Sequence, residues 1–332
     1  MWAVETSALT KDYRAGFWRN RSPRALDRLD LAIEPGEIFG LIGPNGAGKT
    51  TTLKLLLRFI FPTSGHASVL GRPVSDLHSH ARLGYLPENP SFYDHLTAME
   101  FMQYAGWLAG LDSKTRRLRA GEMLDRVGLT EAAGRPLRKF SKGMVQRLGI
   151  AQALVHDPEL LILDEPMSGL DPLGRRQVRD LILDLRRQGK TVLFSTHILA
   201  DAETLCDRVA ILDRGRIRGL GSLRQILGSA SSATELILED PEPAVLDALA
   251  RFTRAAVRTG DRVRLEISAA SDMAAVLRTA LDSRARIVAL NPVKMSLEDY
   301  FVSRLGRRQT GGEPTADDGS SAEATKAGAE RR

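Results

Sequence analysis

The sequence predicts an α/β fold built around a phosphate-binding loop, with a smaller α+β unit after it. Three observations carry that prediction. Gly43-Pro44-Asn45-Gly46-Ala47-Gly48-Lys49-Thr50-Thr51 reads GxxxxGK[ST], and it lies between an apolar run of strand length (Glu37 to Ile42) and a helical pattern (Thr51 to Phe61). Two more apolar runs, Leu160-Leu161-Ile162-Leu163 and Thr191-Val192-Leu193-Phe194-Ser195, end in polar groups, Asp164-Glu165 and Thr196-His197. Open α/β sheets bind ligands at such carboxyl ends of strands. From residue 1 to about 225, short apolar runs alternate with amphipathic helical patterns, which is the pattern of a core with much parallel sheet.

The setting gives the glycine-rich loop its meaning. Leu53, Leu56, Leu57 and Ile60 fall on one face of the helix that follows it. Glycines let backbone N–H groups close around phosphate oxygens, and the new helix points its positive end at the same anion. Lys49 is then placed to reach the β- and γ-phosphates, and Thr50 to ligate Mg²⁺. Residues 97 to about 150 are mostly helical in pattern. The segment from Asn89 to Leu111 carries Phe92, Tyr93, Phe101, Tyr104 and Trp107, and Lys114, Arg116, Arg117 and Arg119 read as a solvated helix face. In Phe140-Ser141-Lys142-Gly143-Met144-Val145-Gln146-Arg147, Ser141 is a natural N-cap for a helix carrying Val145, Leu148, Ala151, Gln152 and Val155. A serine, a glycine and a helix N-terminus together form an anion-binding corner.

Further along, Asp164 at a strand end can hold Mg²⁺, directly or through water, and Glu165 can polarise the water that attacks a γ-phosphate. Val209 to Ile217 reads as a hairpin with a glycine turn. Gly228 to Ala233 has linker composition. After it come strands at Leu236–Leu238, Val263–Ile267 and Ile287–Leu290, and helices at Ala244–Phe252, Asp272–Leu281 and Ser296–Leu305, a set that fits a ferredoxin-like α+β unit. From Gly306 onward, small polar and charged residues dominate and cannot bury enough apolar area to order themselves. The expected division is therefore residues 1–227, a linker over 228–234, an accessory α+β unit over 235–305 and a disordered tail over 306–332.

Bulk composition narrows the function classes. A chain of 332 residues with 43% hydrophobic content can bury a sizeable core. The net charge of +6 allows attraction to nucleotides, nucleic acid or an anionic membrane without choosing among them. Arg14, Arg19, Arg21 and Arg24, interleaved with Phe17 and Trp18, read as a surface excursion. Cys206 is the only cysteine, so no intrachain disulfide is possible, which fits a reducing cytosol. No apolar stretch approaches the about 20 residues of a membrane span, so a membrane role requires another chain to cross.

The order of P-loop, Ser141-Lys142-Gly143-Met144-Val145-Gln146, Leu160 to Pro166, Ser168-Gly169-Leu170-Asp171 and Ser195-Thr196-His197 resembles the nucleotide-binding domain of ABC transporters over residues 1 to about 225. It is most similar to single-cassette ATPases paired with ABC-2-type permeases. Gly84-Tyr85-Leu86-Pro87-Glu88-Asn89-Pro90 matches the YLPEN variant found in cassettes of gliding motility and copper-enzyme maturation. The resemblance implies a P-loop NTPase core with a helical subdomain, hydrolysis of ATP with Mg²⁺, and two cassettes sandwiching two ATP molecules head to tail. It assigns adenine stacking to Tyr13, phosphate binding to Gly43 through Thr51, Mg²⁺ support to Thr50 and Asp164, and the general base to Glu165. Ser141, Gly143 and Met144 would meet the γ-phosphate held by the opposite subunit, Asp171 would organise the subunit interface, and His197 would contact the γ-phosphate and the water. Residues 89–111 would face the permease.

Two positions depart from the family pattern. The usual Leu-Ser-Gly-Gly-Gln is Phe140-Ser141-Lys142-Gly143-Met144 here, which keeps the serine and second glycine and adds a cation. The usual glutamine is Glu88, whose carboxylate can still ligate Mg²⁺. The expected partners are a second cassette, as a homodimer, and an integral membrane permease, with the chain on the cytoplasmic face of the membrane and export as the direction. Ser296-Leu297-Glu298-Asp299-Tyr300-Phe301, similar to the end of many exporter cassettes, points the same way. A soluble ABC ATPase acting on nucleic acid or ribosomes is the alternative. Those families carry two cassettes or a long coiled coil, and this chain has one P-loop and no sustained heptads, so no nucleic acid is expected.

Overall fold

The computed structural model describes residues 1–13, 24–227, 233–268 and 271–293. Arg14, Phe17, Trp18, Arg19 and Arg21, the linker residues 228–232, the helix expected over Ser296–Leu305 and the tail from Gly306 lie outside the described residues. In chain order the elements are β1 (Val4–Asp12), β2 (Arg24–Ile33), β3 (Ile38–Ile42), α1 (Lys49–Leu56), β4 (Ser64–Val69), β5 (Arg72–Pro73), β6 (Leu83–Leu86), α2 (Ala98–Leu108), α3 (Ser113–Arg126) and α4 (Lys142–Leu154). There follow β7 (Leu160–Asp164), α5 (Pro172–Arg187), β8 (Thr191–Thr196), α6 (Leu199–Leu205), β9 (Arg208–Asp213), β10 (Arg216–Gly221) and α7 (Leu223–Leu227). The last group is β11 (Ala233–Glu239), α8 (Pro243–Ala250), β12 (Thr253–Thr259), β13 (Arg262–Ser268), α9 (Met273–Asp282) and β14 (Arg286–Val293).

A six-stranded sheet in the order β10-β9-β3-β8-β7-β6 forms the centre. Its strands from β9 to β6 pair in parallel, and β10 closes one edge antiparallel. Every residue of β3, β7 and β8 is buried, which is why these strands read as continuous apolar runs rather than alternating ones. Successive side chains still point to opposite faces. Ile38, Leu161, Leu163, Val192 and Phe194 join a core with α2 to α6, while Phe39, Leu41, Leu160, Ile162 and Leu193 join a second core. That second core is capped by α1 and by an antiparallel sheet in the order β2-β1-β4-β5, an addition to the expected parallel core. The glycine turn of the β9–β10 hairpin is Arg214-Gly215, with φ of 47° and 77°, the two positive values of a type I′ loop.

Two boundaries shift from expectation. The helix expected to run to Phe61 ends at Leu56: Arg58 takes φ 57°, and Pro62 disfavours helical geometry at Phe61. Ala233 and Thr234, expected in the linker, begin β11, because both its neighbours pair with them, Ser268 and Ile267 on one side and Val293 and Pro292 on the other.

The segments β11-α8-β12-β13-α9-β14 form an antiparallel sheet in the order β12-β13-β11-β14, the ferredoxin-like arrangement. Its core joins Leu236, Leu238, Val263, Leu265 and Ile267 of the sheet to Val245 and Leu249 of α8 and Val276 and Ala280 of α9. The strand absent from the sequence reading is β12. All its residues after Thr253 are exposed, so it carries no buried alternation to read.

Candidate active site

Four parallel strands deliver their carboxyl ends to one place. The loop after β3 is Gly43 to Gly48, and close approach dictates the glycines at 43 and 48. A β-carbon at Gly43 would stand 2.4 Å from the Leu212 carbonyl oxygen, and one at Gly48, where φ is 110°, would stand 2.7 Å from the Ala25 carbonyl oxygen. Gly48 hands the chain into α1, so the helix begins at Lys49 with its first N–H groups facing the loop. A cavity of about 520 Å³ opens there, lined by Ala25, Pro44 to Thr51, Glu88 and Glu165.

Lys49 is buried, and its Nζ donates to the carbonyl oxygens of Gly43 at 2.7 Å and Pro44 at 3.3 Å. The same ammonium stands 3.5 Å from Glu165 Oε1. Asp164 is the last residue of β7, and its Oδ1 accepts from Thr50 Oγ1 at 3.3 Å. Glu165 follows with φ 49°, and its Oε2 lies 2.9 Å from His197 Nδ1. That contact ties the His197 ring to the Glu165 side chain. His197 comes directly after β8, whose last residue is Thr196. Burial, and then the nearby Asp164 charge, push the Tyr85 hydroxyl up to about 12. Glu88, two residues beyond β6, is exposed at the cavity wall.

Tyr13 stands beside the cavity. Its hydroxyl is 3.5 Å from Thr51 Oγ1, and Lys11 Nζ lies 5.4 Å from its ring centroid. Ser141, Gly143, Met144 and Asp171 are elsewhere, and none of the four lines the cavity. Ser141 caps α4, its Oγ accepting from Met144 N at 3.3 Å, and Asp171 caps α5, accepting from Gly174 N at 3.0 Å. The two caps share a surface: a β-carbon at Gly143 would stand 3.6 Å from Leu170 Cδ2, and one at Gly169 would stand 2.3 Å from Lys142 Nζ. One chain thus holds two separate polar features, the glycine loop with its carboxylates and a pair of capped helix ends.

The comparisons with known proteins agree with this geometry. The family model described as ABC transporter matches residues 26–168. An uncharacterized ABC transporter ATP-binding protein of Synechocystis sp. is 46% identical over 307 residues, covering 92% of this chain and 85% of that relative. The chain belongs to the ABC transporter ATP-binding proteins. Among solved structures, the ATP-binding subunit of an ABC transporter is 33% identical with a TM-score of 0.60, covering 68% of this chain and 91% of the other. A dimeric ATP-binding cassette in a post-hydrolysis state, bound to ADP and Pi, is 27% identical with a TM-score of 0.61, covering 67% of this chain and 99% of the other.

As an ABC ATP-binding protein, the chain belongs to a family of ATPases, and its donor set suits a hard cation. Thr50 and Asp164 offer oxygens 3.3 Å apart, with Glu88 on the same cavity. Mg²⁺ takes one or two carboxylates and completes its shell with water and phosphate oxygens, so a sparse oxygen set of this kind fits it. Two contributors are given no role by the motif reading. Ala25, on β2, helps wall the cavity. Ser195 is wholly buried beside both carboxylate residues. Among the described residues, no helix is long and apolar enough to cross a membrane.

Proposed function

We propose that this chain is the ATP-hydrolysing subunit of an ABC exporter of the ABC-2 type, in the YLPEN group. Two copies close around two Mg²⁺-ATP molecules and drive a separate membrane permease from its cytoplasmic side. The observation that carries the reading is the convergence at neighbouring strand ends of Lys49, Thr50 and Glu165, which line one cavity, with Asp164 bonded to Thr50 and His197 to Glu165 behind them. In this reading the loop N–H groups and Lys49 bind the phosphates, and Tyr13 stacks on the adenine. Thr50, Asp164 and Glu88 would hold Mg²⁺, which supplies charge neutralisation at the β- and γ-phosphates. Glu165 takes the proton of the attacking water, and His197 keeps that carboxylate aimed. Ser141, Gly143 and Met144 of one copy complete the site of the other, and Asp171 joins the copies. Residues 1–227 form the motor and residues 235–305 an accessory unit.

The separation of the two polar features within one chain supports the dimer, because the capped end of α4 meets no phosphate loop of its own chain. Tagged Glu165→Gln protein, incubated with ATP and solubilised native membranes, tests the transport reading by affinity capture and mass spectrometry. A polytopic membrane protein in stoichiometric amount is expected. Ribosomes or nucleic acid in its place, with no membrane partner, would overturn the permease and favour a soluble ATPase.

A further inference from the structure

Ser195 lies in β8 with no solvent exposure, and it connects the two acidic residues of the site. The β7–β8 ladder ends at the pair Asp164 and Ser195. One residue further, Glu165 turns into the left-handed region with φ 49°, a conformation that a residue with a side chain holds only when its surroundings impose it. Its N–H donates to Ser195 Oγ at 3.0 Å. A backbone N–H can only donate, so the hydroxyl accepts there, and its single proton goes to its other neighbour, Asp164 Oδ1, at 2.5 Å. The direction of the chain of bonds is therefore fixed, from Glu165 N–H through Ser195 to Asp164. Thr50 Oγ1 donates to the same Oδ1 at 3.3 Å, so two donors set the rotation of the Asp164 carboxylate.

We propose that Ser195 is a positioning residue for hydrolysis. Its hydroxyl holds Asp164 at one rotation and Glu165 in its left-handed turn, so the cation-holding oxygen and the base keep a fixed spacing. The proposal rests on the reading of this cavity as a Mg²⁺-dependent ATPase site. An apolar side chain at 195 strands a buried N–H and releases the carboxylate, which changes how the site meets a cation and an attacking water more than how it meets ATP.

The test uses the full chain and measures steady-state ATPase against both ATP and MgCl₂, together with the Mg²⁺ dependence of equilibrium binding of a non-hydrolysable ATP analogue, for wild type, Ser195→Ala, and the equal-volume pair Ser195→Thr and Ser195→Val. Loss of the hydroxyl in Ser195→Ala and Ser195→Val is expected to lower kcat by about 10- to 100-fold and to raise the half-saturating Mg²⁺ concentration about tenfold, the usual scale for groups that orient metal ligands. The KM for ATP stays within about threefold, since ground-state binding is untouched, and Ser195→Thr keeps most of the wild-type rate. Should Ser195→Ala not fold, the threonine and valine variants still differ by the hydroxyl alone. Equal kcat and equal Mg²⁺ dependence in those two variants would overturn the role of Ser195 while leaving the ATPase reading intact. A wild-type chain without Mg²⁺-dependent turnover would sink both.

Discussion

Glu88 carries the clearest residue-scale question. It is exposed on the wall of the phosphate cavity, on the same lining as Lys49, Thr50 and Glu165. A carboxylate there adds a negative charge and gives up the two amide donors a glutamine would bring. In the proposed reading it ligates or orients the hydration of Mg²⁺. Glu88→Gln is then expected to raise the half-saturating Mg²⁺ concentration for ATPase about tenfold, the low end of the range for altered metal surroundings. A Mg²⁺ titration that superimposes on wild type would remove Glu88 from the site. Residues of this kind were legible because each is tied by sequence spacing to a strand end: Lys49 and Thr50 to the glycine loop, Asp164 and Glu165 to β7, His197 to β8. Ser195 was not legible in the same way. Its role depends on β7 and β8 standing side by side in the register that pairs it with Asp164, and register is a product of the fold.

At the scale of elements, α5 and α6 are tied together by a carboxylate that solvent barely reaches. Asp201 Oδ2 accepts from Arg175 Nη2 at 2.7 Å, and Arg179 stands 3.9 Å from Oδ1. Arg175 sits in the first turns after Asp171, and Asp201 follows His197 by four positions, so the pair links the two polar loops that flank the site. Removing one partner of a fully buried pair costs about 3–5 kcal/mol; with the Arg175 side chain 30% exposed, about 2 kcal/mol is the fitting figure. Asp201→Ala is expected to lower Tm by roughly 4–8 °C for a unit of this size. A Tm unchanged within error would show that the two helices need no such tie. Element legibility followed burial. The fully buried β3, β7 and β8 and the capped α4 announced themselves, while exposed β12 and the early end of α1 at Leu56 depend on edge pairing and on one left-handed residue, Arg58.

The whole molecule presents its chemistry in two pieces. The glycine loop, Glu88 and Glu165 line one cavity, with Asp164 and His197 bonded to its lining, whereas Ser141 and Asp171 lie outside that lining. The α4 N-terminus does not line the cavity of its own chain, so in the proposed reading a second copy completes the site, and closed two-fold pairing is the usual form. The account therefore turns on nucleotide-dependent association. The most direct measurement is the solution mass of Glu165→Gln protein by light scattering, with Mg²⁺-ATP, with Mg²⁺-ADP and without nucleotide. The prediction is 36.4 kDa without nucleotide or with ADP, and twice that with ATP, because the variant binds the triphosphate but does not hydrolyse it. A mass that stays at one chain under saturating ATP would contradict the shared site.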